Sequence, residues 1–204
     1  DSLRALGLAR LGELELLLNK PDAAEEHLSE ALELCMRSGC CEHIPSILET
    51  MGEIPRDFEA MREMSLEIED VLKWLDTVED PELRARTTAA AALAQSGLRM
   101  NSLAERTILS AMTSIASLSL ESQLTVEWCR ARIYIASGRR KVALPMLQRA
   151  LMLAESVNDQ LSVRDILAVV TREMRERSGF TLRSLVTILQ NVCKKASTSG
   201  NVSN

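Results

Sequence analysis

Apolar residues recur at intervals of three and four along nearly the whole chain, the spacing that lines one face of a helix. The pattern breaks at short, regular distances. Breaks fall at Asn19-Lys20-Pro21-Asp22, Ser38-Gly39-Cys40, Ile54-Pro55-Arg56-Asp57, Glu79-Asp80-Pro81, 97–102, 117–121, Gly138-Arg139, Val157-Asn158-Asp159 and Ser178-Gly179. Each carries a helix stop or start. Gly39, Gly97, Gly138 and Gly179 suit the left-handed position that ends a helix. Pro21 and Pro81 suit a helix opening, where a missing N–H costs nothing, and Asp57, Ser102 and Asp159 suit the N-cap. The pattern predicts ten helices, over 3–18, 21–38, 42–53, 56–76, 81–97, 102–117, 120–137, 140–156, 159–177 and 180–196. The predicted class is all-α. No segment reads as a linker, so 1–196 is expected to be one domain and the polar stretch 197–204 a flexible tail.

Ten helices in 204 residues make five antiparallel hairpins of about 40 residues, a period that points to a helical solenoid. Small residues keep time with it. Gly12, Ala24 and Ala31 are separated by 12 and then 7 positions, and so are Ala92, Ala104 and Ala111, and Ala131, Ala143 and Ala150. Leu28, Ile108 and Leu147 each stand four residues after the first alanine of the second helix. Two helices joined by a tight turn need small residues where their backbones approach, and a large one to fill the seam.

On these residues the chain resembles the tetratricopeptide repeat superfamily. Leu8, Leu11, Gly12, Ala24, Leu28 and Ala31 fit the family signature, as do Tyr134, Gly138, Ala143, Leu147 and Ala150. Glu15 stands where a Tyr is usual and Met36 where a Pro often closes the repeat. In the second pair Gly52 is in place, but Glu67 occupies an alanine position. The period near 40 is similar to that of the long-repeat branch. The segment from Val142 to Leu151 is similar to repeats of large cell-cycle assembly subunits such as those of the anaphase-promoting complex. The resemblance implies a right-handed α–α superhelix and a non-enzymatic scaffold that binds a peptide or helix of a partner protein in its concave groove. The same fold also serves as the helical-repeat region of a large, separase-like protease, or as an inducer-sensing domain of a transcription activator, and these stay open as alternatives. So does a compact bundle without a repeat.

Composition narrows the field. Aromatic residues number only five, Phe58, Trp74, Trp128, Tyr134 and Phe180, and Gly and Pro are scarce, which argues against a β-sandwich or barrel. The five cysteines, Cys35, Cys40, Cys41, Cys129 and Cys193, are odd in number and irregular in spacing, so a reducing, intracellular setting is expected. Apolar runs are broken by charge well before membrane-spanning length. The opening at Asp1 without a Met reads as a piece of a longer chain. Residues 1–80 carry 20 acidic and 7 basic side chains, net −13, against 9 and 17, net +8, in the rest. This describes either a charge gradient along an elongated body or two differently solvated faces.

Chemistry-bearing motifs are sparse. His27 and His43 lack partners at metal-ligand spacing, and Cys40-Cys41 with His43 is too compact to close a tetrahedral site, so neither a metal nor a cofactor is expected. Cys129 beside Arg130 comes nearest to a reactive thiol, although its helical position suits a buried apolar group better. Adjacent carboxylates such as Glu25-Glu26 diverge on a helix and do not form an acid–base pair. No catalytic residue is assigned. Arg139-Arg140-Lys141 and Lys194-Lys195 are basic, yet no aromatic side chains interleave with them to stack bases, so nucleic-acid binding is not expected. The methionines serve as adaptable core or as a forgiving peptide surface.

In the resembled family the first helix of each pair lines the groove. Carried over by phase, the candidate partner-binding residues are Glu13, Glu49, Glu53, Arg86, Leu93, Trp128, Arg132 and Arg164. The groove would run from acidic to basic with an apolar middle. Trp128 is either a binding anchor or a core residue. The face of the tenth helix, Leu182, Leu185, Val186, Leu189 and Val192, would cap the stack or meet another chain.

Overall fold

The computed structural model describes residues 2–39 and 41–175. Among them it holds nine α-helices and no strand: α1 (Ser2–Leu17), α2 (Pro21–Ser38), α3 (Ile44–Glu53), α4 (Phe58–Trp74), α5 (Pro81–Gly97), α6 (Asn101–Ala111), α7 (Leu120–Ala136), α8 (Arg140–Ser156) and α9 (Gln160–Arg175). Short 3-10 turns precede α3 and follow α4 and α6. The expected tenth helix, the turn at Gly179 and the tail 197–204 lie outside the described residues.

Local chemistry sets the ends. The Asp57 carboxylate accepts from the backbone N–H groups of Glu59 and Ala60, Asp80 from Glu82, Asp159 from Leu161 and Ser162, and the Ser119 hydroxyl from Ser122, so four helices begin on a side-chain cap. Pro21 and Pro81 each open a helix. Gly39 and Gly138 take the left-handed conformation, with φ of 73° and 75°. Two expectations fail here. Gly97 stays helical, and Arg99 (φ 62°) makes the left-handed turn instead. Ser102 is no cap either, because α6 already begins at Asn101.

The small residues of the repeat are all buried, with Ala24, Ala31, Ala92, Ala104, Ala131, Ala143 and Ala150 fully enclosed. A side chain at Gly12 would begin 2.6 Å from Leu28 Cγ and 3.1 Å from the Ala24 carbonyl oxygen, so α1 and α2 touch as the spacing predicts. Leu28 and Ile108 are fully buried, each contributing about 2 kcal/mol of apolar burial. α1 with α2, α5 with α6 and α7 with α8 pack as close hairpins, while the alternate helices α3, α5 and α7 lie side by side. The second pair departs from this. α4 makes its close backbone approach to α5, not α3, because it fills its inner face with Met64, Ile68 and Val71. Glu67 bonds Ser29 of α2 at 3.2 Å, and Gly52 turns toward α5, where an added Cβ would stand 2.8 Å from Ala94 Cα.

Among the described residues there are three apolar clusters, the first from α1 to α5, the second from α5 to α7, the third from α7 to α9. α5 and α7 each serve two of them. That shared duty explains why α5 buries twelve of its residues, including the run Thr87–Gln95, and shows no polar face.

Candidate functional site

Because α3, α5 and α7 lie side by side, one face of each contributes to a common groove. Two clefts open in it. One, of about 280 Å³, lies toward the helix C-termini between Glu53, Leu93, Gly97, Arg132, Val169 and Arg172. The other, of about 360 Å³, lies toward the N-termini between Glu42, Glu49, Glu53, Arg86 and Thr125. Glu49 and Glu53 border both.

Arg132 is the centre of the geometry. Its guanidinium donates to Glu53 Oε1 at 3.1 Å and stands 3.7 Å from Glu49 Oε2, reaching from α7 to α3 across the intervening α5. At that level α5 presents Leu93, Ser96 and Gly97, two of them small. The same guanidinium lies 5.9 Å from the centre of the Trp128 ring, within cation–π range. The expected acidic-to-basic course is therefore folded back on itself: the acidic wall of α3 and a cation of α7 neutralise one another over an apolar floor.

Burial pushes the Glu49 carboxyl above its usual range, Arg132 pulls it back, and Glu53 adds repulsion. Cys129 Sγ lies 4.0 Å from Glu49 Oε1. Burial, reinforced by the Glu49 charge, pushes this thiol well up. An activated thiolate needs the opposite setting, so Cys129 is a buried packing group of the second apolar cluster. Among the described residues no group of three or more His, Cys, Asp and Glu side chains is placed to hold a metal ion.

Of the eight residues assigned from sequence, Glu49, Glu53, Arg86, Leu93 and Arg132 border the clefts. Trp128 stands beside them, half-buried against the third apolar cluster with Arg132 over its face, and so combines both readings offered for it. Glu13 bonds Arg10 at 2.7 Å on α1 and borders neither cleft. Arg164 is exposed beside Asp165 near the start of α9, also outside them. Its place is taken by Arg172, two turns further along the same helix face. The signal for Arg172 was its eight-residue spacing from Arg164, and it was missed because the cleft lies at the C-terminal ends of the helices.

A second ionic cluster lies on the other side of α7. Buried Glu127 pairs with Arg149 of α8 at 3.2 Å and Arg130 at 3.6 Å, and Arg139 sits 4.8 Å from the Tyr134 ring centre. It ties α7 to α8 and leaves the groove untouched.

No family model matches the chain, and no curated protein or solved structure matches it. No helix among the described residues is long and apolar enough to cross a membrane.

Proposed function

We propose that this chain is a non-enzymatic scaffold of the tetratricopeptide-repeat kind, a right-handed α–α superhelix that holds a segment of a partner protein inside a larger intracellular assembly. The observation that carries the reading is the groove itself. Four helices contribute to it, its floor is apolar at Leu93, Ile135 and Val169, and its walls place carboxylates opposite guanidinium groups. That surface suits an extended or helical peptide with side chains of both signs, and the fixed charges would set its direction. The side-by-side packing of α3, α5 and α7, and the wedges of small residues at matching intervals, support the stacked arrangement. The clefts are at the low end of the ~300–1,000 Å³ of small-molecule pockets, and their charged walls favour a peptide over an inducer.

The test is affinity capture of partners from the native cell with the intact chain, followed by quantitative binding of the recovered segment. Arg132→Glu is expected to weaken binding at least tenfold by placing three carboxylates together, with helicity unchanged by circular dichroism. Retention of full affinity by Arg86→Ala, Trp128→Ala and Arg132→Ala alike would sink the groove assignment.

A further inference from the structure

α1 has the sequence of an inner helix and the surroundings of an outer one. Like α5 and α7 it lacks a pronounced polar face. Those two are close-packed on several neighbours, as a helix that is apolar all round requires. Among the described residues α1 packs closely on α2 alone, through Ala5, Ala9 and Gly12. On the opposite side Leu3, Gly7, Leu11, Leu14 and Leu18 form a stripe in solvent, the leucines between 41% and 86% exposed. Gly7 leaves a gap in the middle of it, since a Cβ added there meets nothing within 4 Å.

The charges say what fits. Arg4 and Arg10 precede Glu13 and Glu15 along the helix. Arg4 and Glu15 are engaged toward α2, with Glu30 and His27, whereas Arg10 and Glu13 pair with each other on the outer flank. A second α1 laid antiparallel would set Arg10 of each copy toward Glu13 of the other and oppose the helix dipoles favourably, where a parallel copy would match like with like. Centred between Arg10 and Leu11, that arrangement puts Leu14 of the second copy over the gap at Gly7 and Leu18 beside Leu3. It also brings Glu13 of the second copy within reach of Arg10. Knob, hole and charge are thus self-complementary about one two-fold axis.

We propose that this face is a self-association surface, where a second copy of the chain docks in an antiparallel α1–α1 pair. A 16-residue helix offers a strip roughly 24 Å by 10 Å, far below the ~800 Å² per partner of a stable dimer, so the association is weak and concentration-dependent. The inference is independent of the groove.

Sedimentation equilibrium of the 204-residue chain, from about 1 µM to 1 mM, tests it. The average mass is expected to rise from one chain toward two. Leu14→Glu, at an exposed position, is expected to keep the mass at one chain with circular dichroism unchanged. Arg10→Glu is expected to weaken association about tenfold, two symmetry-related pairs being reversed, and Arg10→Glu with Glu13→Arg to restore it. A single-chain mass throughout the range would overturn the proposal and leave the stripe to another segment or partner. Dimerisation that survives Leu14→Glu, or no recovery in the double variant, would overturn it as well.

Discussion

Gly97 owes its identity to proximity. A Cβ there would press on the Gly52 carbonyl of α3, well inside van der Waals distance, and the obstacle is backbone that has nowhere to turn. Gly97→Ala is therefore expected to lower stability by about 3 kcal/mol in urea unfolding. Gly7→Ala, into open space mid-helix, is expected to raise it by about 0.5–1 kcal/mol when measured on the monomer. Sequence could not separate these two glycines. One near a helix end reads as a stop, and the left-handed conformation that Arg99 takes in its stead has no signature. His27 gives a second handle. Its Nδ1 lies 2.7 Å from Glu15 Oε2, and that hydrogen bond holds the imidazolium pKa above its ordinary value of 6.5. A raised folded-state value means the stabilisation is complete below the unfolded-state pKa of about 6.5 and is lost as pH rises through the higher, folded value. Urea midpoints are expected to fall across that window in the wild type. His27→Gln is expected to remove that part of the pH dependence.

For the helices, sequence was a good guide to existence and extent and a poorer one to orientation. Periodicity and caps placed α2, α5 and α8 at the ends the structure gives them. The Asp57 cap illustrates the mechanism: Asp57→Ala is expected to cost about 1 kcal/mol, read from thermal or urea unfolding, since two N–H groups of α4 lose their acceptor. Which face turns inward depends on neighbours that no local window contains. Phase carried from one repeat to the next points to residues that border the clefts in α3, α5 and α7, which lie side by side. It does not do so for Glu13, because among the described residues α1 is close-packed on α2 alone, nor for Arg164, because only the C-terminal part of α9 borders the cleft. Glu67 marked the irregular pair correctly as sequence, but that α4 would lean on α5 instead of α3 follows from the bulk of its whole inner face.

At the scale of the described residues as a whole, three apolar clusters stand in succession, and if they belong to a stack whose units touch only their neighbours, the two ends are expected to answer separately to damage. The two tryptophans report on opposite ends: Trp74 packs on the first cluster and Trp128 on the third. In single-tryptophan variants, Leu147→Ala is expected to shift the urea midpoint seen by Trp128 more than that seen by Trp74. Coincident shifts would mean one undivided core and would count against the stacked reading. One interval differs from that between α1 and α2, where the nearest approach at Gly12 is to a side chain, Leu28, which substitution can lengthen or shorten a methyl group at a time. Between α3 and α5 it is kept by main chain against main chain at Gly52 and Gly97. Sequence drift can retune a gap of the first kind step by step, whereas here the smallest added side chain already forces two backbones apart.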